Sequence, residues 1–386
     1  TQEFKLSDSL GIRFLPRNQS LKMEGSKSFK FEGEIVVKNY RIIGDFEVDY
    51  ERFLVNLNRI DSITFTPIDI YKAGGRVEIG GHVAYGKSGL LYLNAPDNKS
   101  GRKYLPQYPR LLIPDGAVVH FNNPERGEFG YPEDVFFTID KIDHDSLNTV
   151  DMAYSGIFKS GGIFRPIRET LVTMPDTSIG FIHKPRGLYE LYETASVFKF
   201  DAPLKMTKKG LLSKGNLTHL AANLTAGNAE FAVDKMRMKG ENGKVKETFV
   251  SSTVYFPDVA ITDFNAIWIP EADSLKIKSP EAYSFYEKST TLKGNLVVRS
   301  SGLYGQGFLE RNDSEAKSKT FKFNKSEFSS TDTEFIVKAD SEGAKPVLKG
   351  EKVDIAFNVD HQSVNISPGD GSFNDTIASS ISFPNA

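Results

Sequence analysis

L-K-M-T-K-K-G-L-L-S-K-G-N-L, residues Leu204 to Leu217, and L-V-V-R-S-S-G-L-Y-G-Q-G-F-L, residues Leu296 to Leu309, are two renderings of one phrase. Leu204, Gly210, Leu211, Gly215 and Leu217 return as Leu296, Gly302, Leu303, Gly307 and Leu309, each 92 positions later. A short aromatic stretch follows each time, Ala229-Glu230-Phe231 and then Phe321-Lys322-Phe323. A glycine-bounded apolar unit used twice needs neighbours to cover its apolar face. The phrase therefore predicts an extended, repetitive β architecture, with units over about 196–290 and 291–386.

Working outward, period-two alternation of apolar and polar residues dominates and long helical periodicity is scarce. Phe29 to Val37 and Ile42 to Tyr50 read as a hairpin joined at Lys38-Asn39. Further strands are expected at Val77–Ala84, Leu90–Leu93, Ala117–Phe121, Val135–Ile139, Asp151–Phe158, Val197–Phe200, Thr248–Phe256 and Val353–Val359. Glu51–Asn58 fits a helix capped by Asp49 and a strand equally well. Ser279-Pro280-Glu281-Ala282-Tyr283 fits one helical turn. Asn242-Gly243, inside 240–247, predicts an exposed hairpin tip.

The fold class these patterns predict is all-β with very little helix. Stacked strands in a β-helix, an open jelly roll or tandem β-sandwiches all satisfy them. Soft boundaries near 70 and 195 divide the chain into an N-terminal β unit (1–70), a loop-rich β region (71–195) and the two units at 196–290 and 291–386.

The chain of 386 residues has 48 basic and 50 acidic side chains, a net charge of −2. No field of one sign is available for a phosphate backbone, so nucleic acid is not an expected partner. There are no cysteines, which excludes disulfides, thiolate nucleophiles and Cys-ligated metals. No apolar run reaches the roughly 20 residues of a transmembrane helix. The chain opens at Thr1 without an initiator Met, as a mature product or an excised piece would.

Chemistry is hard to find. The six histidines are scattered and form no ligand pair, and no nucleophile elbow or phosphate-binding loop precedes a helix. No catalytic residue can be named. Asp143 and Asp145, alternating in Asp140–Asp145, are candidate oxygen ligands for Ca²⁺, the one cofactor considered; a solvated turn is the alternative. Residues 95–134 hold six prolines and several glycines, and binding concentrates on such loops. Within them Arg102, Tyr104, Tyr108 and Arg110, then Arg126 and Tyr131, are the candidate contact residues, because Tyr and Arg offer rigid area with a polar end. Trp268 reads as core in preference to a sugar platform.

Tyr154-Ser155-Gly156-Ile157-Phe158-Lys159-Ser160-Gly161-Gly162-Ile163-Phe164-Arg165-Pro166, with Ser178-Ile179-Gly180-Phe181 and Gly187-Leu188-Tyr189, resembles very long exported proteins of Bacteroidota built from glycine-bounded β units. Gly-Leu-x-Gly-x-Gly-x-Leu at 302–309 resembles repeats of the lipopolysaccharide-transport group, in which stacked strands form an elongated, partly open jelly roll. The resemblance implies an exported periplasmic, outer-membrane-associated or surface protein, with a subunit of an outer-membrane complex among the expected forms, and transfers no catalytic residue. The expected function is a non-enzymatic envelope scaffold that binds protein or glycan through loops. A polysaccharide-acting enzyme on a β framework and a lipid or export conduit are the alternatives. Against a conduit, charged residues alternate regularly with apolar ones, leaving no surplus apolar face for an acyl chain.

Overall fold

The computed structural model describes residues 3–7, 10–65, 83–121, 130–147, 152–176, 178–339, 344–369 and 380–384. Strands make up 64% of the chain and helix 1%, so the all-β expectation holds. Among the described residues the one helical segment is the 3₁₀ turn Pro270–Ala272.

In chain order the strands are β1 (Phe4–Ser7), β2 (Ile12–Pro16), β3 (Lys22–Met23), β4 (Ser28–Val37), β5 (Tyr40–Asp49), β6 (Leu54–Phe65), β7 (Val83–Tyr92), β8 (Arg110–Ile113), β9 (Ala117–His120), β10 (Val135–Ile139) and β11 (Ile142–His144). Next come β12 (Ala153–Ser160), β13 (Ile167–Thr173), β14 (Ile179–His183), β15 (Leu188–Glu190), β16 (Val197–Phe200), β17 (Leu204–Thr207), β18 (Gly210–His219), β19 (Ala222–Phe231), β20 (Met236–Val245), β21 (Thr248–Ser251) and β22 (Val254–Phe256). The last are β23 (Val259–Ile269), β24 (Ser274–Lys278), β25 (Tyr283–Phe285), β26 (Thr290–Arg299), β27 (Gly302–Arg311), β28 (Ser314–Phe323), β29 (Glu327–Val337), β30 (Leu348–Asn358), β31 (Ser363–Pro368) and β32 (Ser380–Ser382).

The chain forms two compact units. Unit one is Thr1–Lys184 with Pro203–Leu212; unit two is Pro185–Ala202 with Ser213–Ala386. Residues on both sides of position 70 thus share one unit, and the chain first leaves it at 184, ahead of the expected boundary near 195.

Unit one holds two antiparallel sheets. The first runs β1-β2-β4-β5-β6-β7-β8-β11, with β3 against β4. The β4–β5 hairpin turns at Lys38-Asn39 as the alternation predicts, and its faces segregate with period two. Phe31 pairs across it with Phe46, and the rings of Phe14, Phe31 and Phe46 follow one another at 5.4 and 5.2 Å. The second sheet joins β9, β10, β12, β13, β14 and β17. The sheets share an apolar core in which Tyr40, Ile63 and Leu111 of the first meet Val119, Ile139 and Leu171 of the second around a void of about 20 Å³. A polar contact crosses that core: the Tyr154 hydroxyl lies 2.7 Å from His144 Nδ1, both groups buried.

Unit two is dominated by long antiparallel strands in the order β18-β19-β20-β23-β24-β26-β27-β28-β29-β30-β31. Its inward positions are filled. Phe198, Phe231, Phe264, Trp268, Phe321 and Phe323 are all 1% exposed or less. Phe285 stacks on Phe323 with ring centroids 4.0 Å apart.

The two stretches of the opening phrase fold alike. β18 and β27 each run ten residues, from Gly210 and from Gly302, and their partners β19 and β28 share one burial pattern. The six leucines that the two copies share (204, 211, 217, 296, 303, 309) are buried. Gly215 and Gly307 each lie where a neighbouring backbone approaches closely. A Cβ there would sit 2.1 Å from the Lys199 carbonyl oxygen and 2.2 Å from that of Lys293, so only glycine fits. The Tyr192 hydroxyl donates to the Ala232 carbonyl at 2.8 Å; 94 residues on, the Tyr286 hydroxyl donates to the Asn324 carbonyl, 92 residues after Ala232, at 2.9 Å.

Several expectations need correction. Asn242-Gly243 is no hairpin tip: both residues lie inside β20, paired with Thr225 and Leu224 on one side and Thr262 and Ile261 on the other. Two flanking strands outweigh local turn propensity, and the break in alternation falls at Glu241-Asn242 inside the strand. Glu51–Asn58 is no helix; β6 begins at Leu54, and Asp49 Oδ1 accepts the Arg52 N–H at 2.9 Å within the turn before it. Ser279–Tyr283 is likewise not helical, although the Ser279 hydroxyl accepts the Glu281 N–H. Thr248–Phe256 splits into the small hairpin β21–β22. Among the described residues the strands pair antiparallel, unlike the parallel rungs of a β-helix. The start of the Val77–Ala84 expectation lies outside the described residues.

Candidate functional site

The structure redistributes the residues singled out from sequence. Arg102 and Tyr104 are exposed on the loop after β7, Tyr104 at 89%. That loop is fixed from inside. The buried Asn98 side chain donates to Asn94 Oδ1 and to the Lys103 carbonyl, and accepts the Lys103 N–H at 3.0 Å. Tyr108 is half-buried at the end of the same loop.

Arg110 has a different role. It bridges the two candidate metal ligands, with Nη2 2.7 Å from Asp143 Oδ1 and Nε 3.0 Å from Asp145 Oδ1. Hydrogen bonds from Lys141 and Arg110 hold the Asp143 carboxyl below its ordinary pKa. The carboxylates expected to face a cation thus face a guanidinium. Among the described residues no group of three or more His, Asp or Glu side chains is arranged to hold a metal.

Tyr131 is not a surface residue. It is 5% exposed, and its hydroxyl accepts the Leu211 N–H at 2.8 Å. Arg126 lies outside the described residues. The described histidines form no cluster. Among them His183 Nδ1 meets Glu169 at 3.0 Å, and His219 Nδ1 meets the Ser196 hydroxyl at 2.8 Å. Trp268 is core, 1% exposed, with the His219 ring 4.8 Å away.

Among the described residues a broad concavity lies in unit two, on the outward face of β19, β20, β23 and β24. It is an open groove of about 940 Å³. Its shape comes from aligned breaks in strand alternation. Two consecutive residues face outward at Gly227-Asn228 in β19, Glu241-Asn242 in β20 and Thr262-Asp263 in β23. Glu241 and Asp263 fall between the register pairs Gly240–Phe264 and Asn242–Thr262, so adjacent strands kink at one level. Gly240 lets the strands close behind the groove, because a Cβ there would meet the Thr225 carbonyl oxygen at 2.0 Å.

The groove presents Asn228, Lys239, Glu241, Asn242, Asn265 and Lys278, with Asp263 beside them. All are exposed. None of these side chains has a recorded hydrogen bond or ion pair to another described residue, so amide, ammonium and carboxylate groups all stand open to a ligand. Two lysines balance two acids, and the buried Phe264 ring contributes to the floor.

Comparison with protein-family models, curated proteins and solved structures returns no match.

The groove therefore has to be read from its own chemistry. Sequence reasoning missed it because 240–247 looks like a turn. The signal was present as paired polar residues interrupting three successive strands, but its meaning depends on those strands being neighbours.

Among the described residues no helix is long and apolar enough to cross a membrane.

Proposed function

We propose that this chain is a non-enzymatic, exported β scaffold that binds a neutral glycan in the unit-two groove. The observation that carries the reading is the set of open donors and acceptors, Asn228, Lys239, Glu241, Asn242, Asn265 and Lys278, held on rigid strands. Amides and balanced charges match hydroxyl groups, which donate and accept alike, better than they match a polyanion. Placement on strands keeps the groups in position before binding, which lowers the entropic cost of recognition. The filled core of unit two supports a scaffold over an acyl conduit, since its inward faces are occupied by their own side chains. The 92-residue correspondence of β18–β19 with β27–β28 supports a duplicated building unit.

The test is binding to an array of neutral and acidic polysaccharides, followed by calorimetry on those retained. Asn228→Ala combined with Asn242→Ala is expected to weaken binding by about tenfold, as loss of two modest hydrogen bonds implies, without changing the melting temperature. Glycan release of reducing ends that disappears in Glu241→Gln would replace scaffold by enzyme. Cell fractionation of the native host tests export.

Tyr104, displayed on a loop pinned by buried Asn98, supports a separate protein contact. Arg102→Ala with Tyr104→Ala would abolish capture of that partner while leaving glycan binding intact.

A further inference from the structure

A second concavity of about 410 Å³ lies further along the unit-two sheet, on β28, β29, β30 and β31. Thr320, Ser329, Thr331, Asn365 and Ser367 line it, with Lys322 and Asp354 as its charged members. The side chains of Ser329, Thr331, Asn365 and Ser367 have no recorded hydrogen bond to another described residue. Asp354 is engaged, its Oδ1 accepting the Asp332 N–H at 3.1 Å. Thr320 and Thr331 stand 92 residues after Asn228 and Lys239, which line the first groove. The same break in alternation produces it, with Lys319-Thr320 and Thr331-Asp332 both facing outward. The two concavities therefore occupy corresponding places on hairpins that fold alike.

We propose that the second concavity is a further subsite for the same glycan chain, so that one polymer spans both. This rests on the glycan reading of the first groove. From the β20–β23 gap to the β29–β30 gap there are six strand-to-strand steps. At about 4.8 Å per step they separate the subsites by roughly 30 Å measured along the sheet. A ligand long enough to bridge that distance binds its second subsite intramolecularly, at a high effective concentration. A short oligosaccharide occupies either subsite alone and gains nothing from the other. The second subsite is richer in hydroxyls and carries one cation and one anion, so both places suit a neutral, hydroxylated chain.

The experiment uses the full chain and a length series, from disaccharide to polymer, hydrolysed from whichever neutral polysaccharide the array retains. Wild-type affinity is expected to rise at least tenfold once the oligomer exceeds the span. Ser329→Arg with Thr331→Arg should remove that rise and leave disaccharide affinity at the first groove unchanged. The milder pair Thr331→Ala with Asn365→Ala should reduce the rise, and circular dichroism confirms that both variants fold. Asn228→Ala with Asn242→Ala should weaken short and long ligands together. If long-chain affinity stays intact in both second-site variants while the first-groove variant still loses binding, the second subsite is overturned and the first reading stands. If no polysaccharide binds the wild-type chain, both fall.

Discussion

Ser196 Oγ and His219 Nδ1 lie 2.8 Å apart inside unit two, with the Trp268 ring against the imidazole at 4.8 Å. His219 closes β18, and 92 residues later Arg311 closes β27. There Arg311 Nη1 donates to the Thr290 hydroxyl at 2.6 Å, and the guanidinium lies over the Phe357 ring. One architectural place thus carries a buried imidazole on one hairpin and a buried guanidinium on the other, each hydrogen-bonded to a hydroxyl from a preceding segment.

Burial pulls the His219 pKa down to about 4, because its remaining ring nitrogen has no polar partner among the described residues. Its ordinary value is about 6.5, so the unfolded chain binds this proton first as the pH falls. Stability from this group is complete above about 6.5 and declines between 6.5 and 4. The full loss is roughly 3 kcal/mol. Urea midpoints at pH 7 and pH 4.5 should show the decline in wild type and a smaller one in His219→Gln. Equal slopes would remove His219 as the cause.

Gly215 and Gly307 are irreplaceable for the same geometric reason, the carbonyl oxygens 2.1 and 2.2 Å from a prospective Cβ. Gly215→Ala and Gly307→Ala are each expected to cost about 1–3 kcal/mol in chemical unfolding. Gly227→Ala is the control. Its nearest neighbour, the Lys239 carbonyl oxygen, is 3.8 Å away, so stability should change by less than about 0.5 kcal/mol.

The Arg110 bridge to Asp143 and Asp145 lies at the surface, with these side chains 31–60% exposed. Arg110→Ala should therefore cost less than about 1 kcal/mol. Neither Ca²⁺ nor a chelator should move the wild-type melting temperature. A calcium-dependent rise would restore the carboxylate pair as a cation site.

Tyr131→Phe removes the acceptor of the buried Leu211 N–H. Leaving that donor without its partner should cost about 1–3 kcal/mol. Hydrogen exchange at Leu211 should quicken more than at Leu217, which lies further along the same strand. Uniform behaviour of the two amides would count against a local role for the hydroxyl.

Alternation, glycine spacing and the scarcity of helical periodicity made the β class, the β4–β5 turn at Lys38-Asn39 and β10 and β16 readable from residue order alone. These are local properties: side-chain period and turn preference act over a few bonds. The buried leucines of the repeated phrase were readable for the same reason. The inward turn of Tyr131, the capture of Asp143 and Asp145 by Arg110, and the outward groups of Asn228, Asn242 and Asn265 gathered into one groove were decided by tertiary structure. Each depends on which strands lie side by side and in what register, and a one-residue slip would send every side chain of a strand to the opposite face.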